Sequence, residues 1–286
     1  MQMIPFVKME GAGNDFVVLD LTKASFGLAD GLLTSIADRR RGVGADQVLV
    51  LEQTRSDDAD FRYRIFNGDG QEVEQCGNGA RCIARFVRVK KNFRARRIRF
   101  ETLKGVISVS EDENGWMTVD LGRPCFGAPS IPFCPSFWPE ADEMGGFVEF
   151  ASGERSHFNV ASMGNPHAVF FVSSVERFPL EEAAHILQHH PAFPESVNVG
   201  VVERCTAQEA RIRVFERGAG ETPACGTGTC AAFAVGRRLG LFDECVRFEA
   251  RGGSLACRES KDGCVLLSGP AQFIAEGRFY WNVENV

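Results

Sequence analysis

Cysteine followed by two alternating glycines occurs twice in this chain, 149 residues apart. The two elements are Cys76-Gly77-Asn78-Gly79-Ala80-Arg81-Cys82 and Cys225-Gly226-Thr227-Gly228-Thr229-Cys230. Each runs into an apolar, helix-like segment, Ile83-Ala84-Arg85-Phe86-Val87 and Ala231-Ala232-Phe233-Ala234-Val235. The pattern puts the first cysteine at a helix start, where unpaired N–H groups and the positive end of the dipole collect. That placement lowers a thiol's pKa from about 8.5 toward neutrality. The glycines let backbone N–H groups approach an anion closely. One such element reads as a glycine-rich turn that happens to carry cysteine. Two imply a pair of thiols facing a carboxylated ligand from opposite sides.

With 286 residues the chain is long enough for two domains with cores of their own. Its 44% hydrophobic and 24% charged content is ordinary for a globular protein. A net charge of −6 argues against general affinity for nucleic acid. No stretch approaches the roughly 20 apolar residues that span a membrane, and Met1-Gln2-Met3-Ile4-Pro5 lacks a signal-peptide pattern, so the expected location is cytoplasmic. The ten cysteines lack the C-x₂-C spacing typical of zinc sites, and a disulfide framework belongs to small secreted domains. Cys205, Cys245, Cys257 and Cys264 lie in apolar runs and are expected as buried small hydrophobes. Six lysines, none in a legible cofactor motif, argue against pyridoxal phosphate. No metal or cofactor is expected.

Along the chain, Ile4–Met9 and Phe16–Leu19 read as strands around the Gly11–Asp15 turn. Leu32, Leu33, Ile36 and Ala37 have helical spacing, and Arg39-Arg40-Arg41-Gly42 reads as a basic helix end. Val48–Leu51 is a buried strand, and Phe61–Phe66 alternates as a half-buried one. Asn67-Gly68-Asp69-Gly70 is a hairpin turn, and Glu72 to Gln75 lead into Cys76. Arg96–Glu101, Gly105–Ser110 and Trp116–Leu121 form a meander. The second half repeats the theme. Strands at Gly146–Phe150, His157–Val160 and Ala168–Val172 precede a helix with Leu180, Ala183, Ala184 and Leu187. Asn198–Val202 and Ala210–Glu216 then lead to Cys225, and a meander runs from Val246 through Val283, with Phe279-Tyr280-Trp281 crossing back to the first domain. The expected fold is α/β (α+β): two pseudo-symmetric domains, each a curved, mostly antiparallel sheet around a central helix, with the active site between them. Five prolines within 124–139 mark the boundary, giving domains of 1–123, completed by 274–286, and 124–273.

Moving a proton off an amino acid's α-carbon and returning it to the other face needs a base on each side, and fixed dipoles to hold the growing charge on the carboxylate. Cys76 and Cys225 supply both. His167, ending Gly164-Asn165-Pro166-His167, is placed to orient or deprotonate a thiol, although a lone histidine is more often structural. Glu216 can relay a proton to Cys225, and Arg217 can clamp a carboxylate; a solvated charge pair is an equal alternative. Asn14, Asn67, Asn165 and Asn198 sit at loop or strand ends, as turn residues or as the lining of a polar pocket. The basic run Lys90–Arg97 is read as a solvated face.

Together with Lys8-Met9-x-Gly11-x-Gly13-Asn14-Asp15-Phe16, Gly42-Val43-Gly44-Ala45-Asp46, Phe66–Gly70 and Glu216-Arg217-Gly218-x-Gly220-Glu221-Thr222-x-Ala224-Cys225, these motifs resemble the diaminopimelate epimerases, in order over residues 8–230. Proline racemases share the paired cysteines but carry histidine where Asn78 stands. The resemblance implies a cofactor-free homodimeric epimerase that interconverts LL- and meso-diaminopimelate for lysine and peptidoglycan precursor synthesis. It makes Cys76 and Cys225 the acid/base thiols, assisted by His167 and Glu216. Backbone at Gly77-Asn78 and Gly226-Thr227 would hold the reacting carboxylate. Asn14, Asn67, Asn165, Asn198 and Arg217 would grip the distal end, with Gln47 lining the pocket and Glu216 also binding substrate. Glu10 stands where histidine is frequent in the family, and Thr227 where serine is. Two other readings stay open: a racemase for another amino acid, such as proline, and a redox-sensing thiol pair without catalysis.

Overall fold

Phe16-Val17-Val18-Leu19 and Val48-Leu49-Val50-Leu51 are unbroken apolar runs, which a strand buries only when both faces of its sheet are covered. The structure, a computed structural model, describes residues 2–23, 27–73 and 76–281, so Glu74, Gln75 and residues 282–286 lie outside the described residues. Both runs are buried throughout. The chain divides into two units, Met1–Val119 with Gly269–Val286, and Asp120–Ser268.

In the first unit the order is β1 (Gln2–Gly11), β2 (Asn14–Asp20), α1 (Leu32–Ala37), β3 (Gln47–Glu52), β4 (Phe61–Asn67), β5 (Glu72–Val73), α2 (Gly77–Lys90), β6 (Arg97–Thr102), β7 (Gly105–Glu111) and β8 (Met117–Asp120). β1 and β2 are antiparallel, β2 and β3 parallel, and β3 and β4 antiparallel. β4 takes β5 antiparallel and β6 parallel, and β6, β7 and β8 close as a meander. Alternate residues of the two apolar runs face opposite helices. Val17, Leu19, Val48 and Val50 pack with Leu32 and Ile36 of α1. Phe16 and Leu49 lie against Gly79 of α2. In α2, buried Ala80, Ile83, Ala84 and Val87 repeat at helical spacing, Arg88 and Lys90 suit the last turn, and Asn92 (φ 51°) turns the chain away.

Two local expectations differ from what forms. α1 stops at Ala37 rather than in the arginine run. The Asp38 carboxylate accepts the N–H groups of Arg40 and Arg41 (2.7 and 2.8 Å), and the Ile36 carbonyl accepts from Val43 and Gly44, so the helix has no continuing hydrogen bonds. β4 alternates only at first, since Ile65 and Phe66 are both buried where the sheet is covered on both sides.

The second unit holds β9 (Cys125–Phe126), β10 (Gly145–Glu149), β11 (Arg155–Ser162), β12 (Pro166–Val172), α3 (Leu180–Gln188), β13 (Asn198–Arg204), β14 (Glu209–Glu216), β15 (Gly220–Thr222), α4 (Gly226–Arg238), β16 (Cys245–Ala250), β17 (Gly253–Glu259) and β18 (Val265–Gly269). β11 to β18 repeat the pairings of β1 to β8, including the parallel β12–β13 and β14–β16 pairs. α3 takes the place of α1 in chain order, and α4 that of α2. The proline-rich stretch forms β9 and two short 3-10 turns, and supplies Ile131, Phe133 and Trp138 to this unit's core. β19 (Gln272–Trp281) then belongs to the first unit, pairing antiparallel with β1 from Gln2↔Trp281 to Glu10↔Gln272.

Of the four cysteines expected inside, Cys257 is buried, Cys264 is intermediate, and Cys205 and Cys245 are exposed. Cys205 follows β13 in a turn, and Cys245 starts β16 on its outward-facing alternation. Arg94, Arg96 and Arg97 of the basic run are exposed, as a solvated face requires. No helix among the described residues is long and apolar enough to cross a membrane.

Trp281 is 3% exposed and packs in the α1-side core of the first unit. Trp281→Ala should cost about 3–5 kcal/mol. Urea unfolding followed by circular dichroism should show the midpoint fall accordingly.

Candidate active site

Cys76 is extended (φ −141°, ψ 113°) and caps α2, its sulfur accepting the Gly79 N–H at 3.4 Å. Its thiol donates to Asn14 Oδ1 at 3.8 Å, and Asn14 Nδ2 donates to Asp46 Oδ2 at 2.7 Å. Asp46 belongs to a clamp: Arg39 bridges Asp15 and Asp46 (2.8 and 2.7 Å), and Lys8 bonds Asp15 at 2.6 Å. Burial works against the charge on Asp15, but hydrogen bonds from Arg39 and Lys8 outweigh it and hold the carboxyl well below the usual range. Gln47 donates to Asn67 Oδ1 at 2.9 Å from the neighbouring strand, while its own Oε1 is buried without a partner. Asn14, Gln47, Asn67 and Cys76 thus gather at one end of the β2–β3–β4 sheet.

Gly77, Asn78 and Gly79 are buried, and the Asn78 side chain accepts from Arg81 at 3.0 Å. A Cβ at Gly79 would stand 2.4 Å from the Tyr63 hydroxyl, so only glycine allows helix and sheet to approach this closely.

Cys225 occupies the equivalent place before α4, extended (φ −118°, ψ 114°) and 5% exposed. Its thiol donates to Glu216 Oε2 at 3.1 Å, and Thr227 Oγ1 lies at 3.6 Å. Thr222 donates to the other Glu216 oxygen at 2.6 Å. On the far side of Thr227, Asn165 Nδ2 donates to Thr227 Oγ1 at 3.3 Å, and His167 Nε2 meets Asn165 Oδ1 at 3.0 Å. An amide oxygen only accepts, so His167 carries its proton on Nε2 and leaves Nδ1 as a buried acceptor without a partner. His167 therefore reaches the thiol through Asn165 and Thr227, not directly as the sequence suggested. Burial and the Arg217 charge push its pKa down to about 3, keeping it neutral at ordinary pH.

Asn198 is committed to backbone, donating to the Pro166 carbonyl (3.1 Å) and accepting the Arg217 N–H (2.9 Å). It positions Arg217, whose exposed side chain bonds the Glu195 carbonyl at 2.6 Å. Gly226 is buried behind Cys225. The expectation of a lowered thiol pKa at each helix start does not hold for Cys225, where burial, and then the facing Glu216 carboxylate, push the thiol well above its ordinary value.

The two sites are variations on one hairpin. Arg64–Glu72 in β4–β5 and Arg213–Glu221 in β14–β15 are the same two-pronged ion pair, 149 residues apart. At that offset Cys76 corresponds to Cys225, Asn67 to Glu216 and Val73 to Thr222. Register likewise puts Phe16 beside Gln47 as it puts His167 beside Asn198. The second half carries a carboxylate, a hydroxyl and an imidazole where the first carries an amide, an isopropyl group and a phenyl ring. Thr222 and the Asp15–Arg39–Asp46 clamp were missed in the sequence; comparing the repeats position by position would have found Thr222. Among the described residues no group of three or more His, Cys, Asp or Glu side chains is placed to hold a metal ion.

Solved structures share this fold. A PhzF-family phenazine biosynthesis protein from Bacillus anthracis matches with a TM-score of 0.71 at 18% identity, covering 97% of this chain and 99% of that one. A hydroxyproline epimerase from Agrobacterium vitis, with bound trans-4-hydroxy-L-proline, matches with a TM-score of 0.68 at 16% identity, covering 97% and 91%. Two units of one topology, each with a cysteine-capped helix, thus have the fold of the PhzF and proline racemase-like proteins. The diaminopimelate epimerase family model matches residues 6–126 and 159–274. Diaminopimelate epimerases from Psychrobacter sp. (strain PRwf-1) and Herminiimonas arsenicoxydans are 47% and 44% identical, covering 97% and 96% of this chain and 94% and 98% of their own lengths. The chain belongs to the diaminopimelate epimerase family and is an isomerase.

Glu216→Gln keeps the shape of the side chain and removes the charge that disfavours the Cys225 thiolate. Alkylation of Cys225 by iodoacetamide, followed by mass spectrometry against pH, should reach its half-point at lower pH in the variant than in the wild type.

Proposed function

We propose that this protein is a cofactor-independent epimerase that interconverts LL- and meso-diaminopimelate, with Cys76 and Cys225 as its acid/base pair. The observation that carries the reading is the placement of both thiols at equivalent helix starts in a repeated hairpin-and-helix unit. One thiolate takes the α-proton and the other thiol donates a proton to the opposite face, so each turnover leaves the pair exchanged in protonation. Charge that develops on the substrate carboxylate is met by the N–H groups of Gly77-Asn78 and Gly226-Thr227. Glu216 exchanges a proton with Cys225. His167, through Asn165 and Thr227, fixes the direction of the hydroxyl beside the thiol. Asn14, Gln47, Asn67, Asn165 and Arg217 hold the distal amino-acid end, with Asn198 setting the backbone of Arg217.

The same reading places the enzyme in lysine and peptidoglycan precursor synthesis, in the cytoplasm and as a homodimer. It rests on family membership at 47% identity and on the polar groups around each thiol, which suit a substrate with a second charged end.

Incubating reduced protein with LL-diaminopimelate in deuterated water should put deuterium at the α-carbon as the meso isomer appears. Cys76→Ala and Cys225→Ala should each lower epimerisation by on the order of 10²–10⁴-fold. Exchange with proline but not diaminopimelate would move the substrate. A fully active single mutant would remove the two-thiol mechanism.

A further inference from the structure

The second half-site contains a pair that the first lacks as a pair. Glu216 ends β14, and Thr222 ends the short strand that returns beside it. The register Val214↔Thr222 and Glu216↔Gly220 puts Thr222 diagonally across from Glu216 on the same face of the hairpin. The Thr222 hydroxyl donates to Glu216 Oε1 at 2.6 Å, while Oε2 accepts from Cys225 at 3.1 Å. A carboxylate on a flexible side chain has several rotamers, and this hydrogen bond selects the one that aims an oxygen at the thiol. In the first half the carboxylate becomes Asn67 and the hydroxyl becomes Val73. Donor and carboxylate are present together or absent together, as expected if the hydroxyl serves the carboxylate rather than the hairpin. The hairpin itself is held in both halves by the Arg64–Glu72 and Arg213–Glu221 ion pairs.

We propose that Thr222 is a positioning residue for the epimerisation, holding Glu216 so that one carboxylate oxygen is reserved for the Cys225 thiol. The inference rests on the two-thiol reading above. When Cys225 acts as a base, its S–H proton passes to Glu216 Oε2 and leaves the thiolate that attacks the α-proton. When Cys225 acts as an acid, it gives its proton to the substrate and recovers one from Glu216. In both directions Thr222 keeps its own proton and donates a hydrogen bond to Oε1.

Thr222→Val is the informative change, because Val73 occupies the matching position of the first hairpin, where the fold accepts it. A charge-assisted hydrogen bond of this kind is worth roughly a ten- to hundredfold change in rate. The expected result is a fall in kcat of that order with KM nearly unchanged. Thr222→Ser, which keeps the hydroxyl, should recover most of the rate. In a Glu216→Gln background the same Thr222→Val change should cost at most a few-fold, since the group it positions has lost its role. Wild-type kcat in Thr222→Val would overturn the proposal. So would a loss of equal size in the Glu216→Gln background, or a Thr222→Ser variant as slow as the valine variant. Wild-type protein without epimerisation of diaminopimelate would instead remove the reading on which it rests.

Discussion

The N–H groups of a helix's first turn have no partner within the helix, and here a cysteine stands where a serine or aspartate more often caps them. That substitution is possible because the rest of each helix is anchored. Ten residues of α2 and ten of α4 are buried, so the start of the helix stays in place whatever the thiol does. Sulfur is a weak acceptor, even at the 3.4 Å that separates the Gly79 nitrogen from the Cys76 sulfur. The helix loses little stability from a poor cap and gains a site where an anion is welcome. Steric closeness follows from the same constraint, with Gly79 pressed against Tyr63, Leu49 and Phe16.

Around these matched helix starts the surroundings diverge. Cys76 is approached by an amide that is tied to a carboxylate–guanidinium clamp, so its partner is held by charge at one remove. Cys225 faces a carboxylate directly, and its other side chain contact leads through a hydroxyl and an amide to an imidazole. A duplicated scaffold therefore presents the same backbone dipoles twice but different proton reservoirs.

Much of the fold was legible because its causes are local. Unbroken apolar runs at Phe16–Leu19 and Val48–Leu51 announced strands covered on both faces, and cysteine-glycine pairs before apolar segments announced helix starts. What stayed hidden depends on side-chain contacts and strand faces that the pattern of apolar residues does not carry. The helix start alone does not give the acidity of Cys225, because Glu216 faces the thiol from the end of β14 and burial outweighs the dipole. Helical spacing overshoots the end of α1, because the Asp38 carboxylate competes for the backbone. Cys205 and Cys245 were misassigned because an apolar neighbourhood in sequence does not say which side of a strand faces out. His167 reaches the Cys225 thiol through Asn165 and Thr227, a relay that the Gly164-Asn165-Pro166-His167 motif does not announce.

β19 lies at the far end of the chain yet completes the sheet begun by β1. During synthesis the second unit, contiguous from Asp120 to Ser268, has all its strands before the first unit has its last one. That first strand must wait, with one edge of its hydrogen bonds unfilled and the Trp281 position in the core empty, until residues 272–281 have left the ribosome. The part made first is thus the part finished last, and the exposed edge of β1 is where a nascent chain of this topology most needs protection from pairing with a stranger.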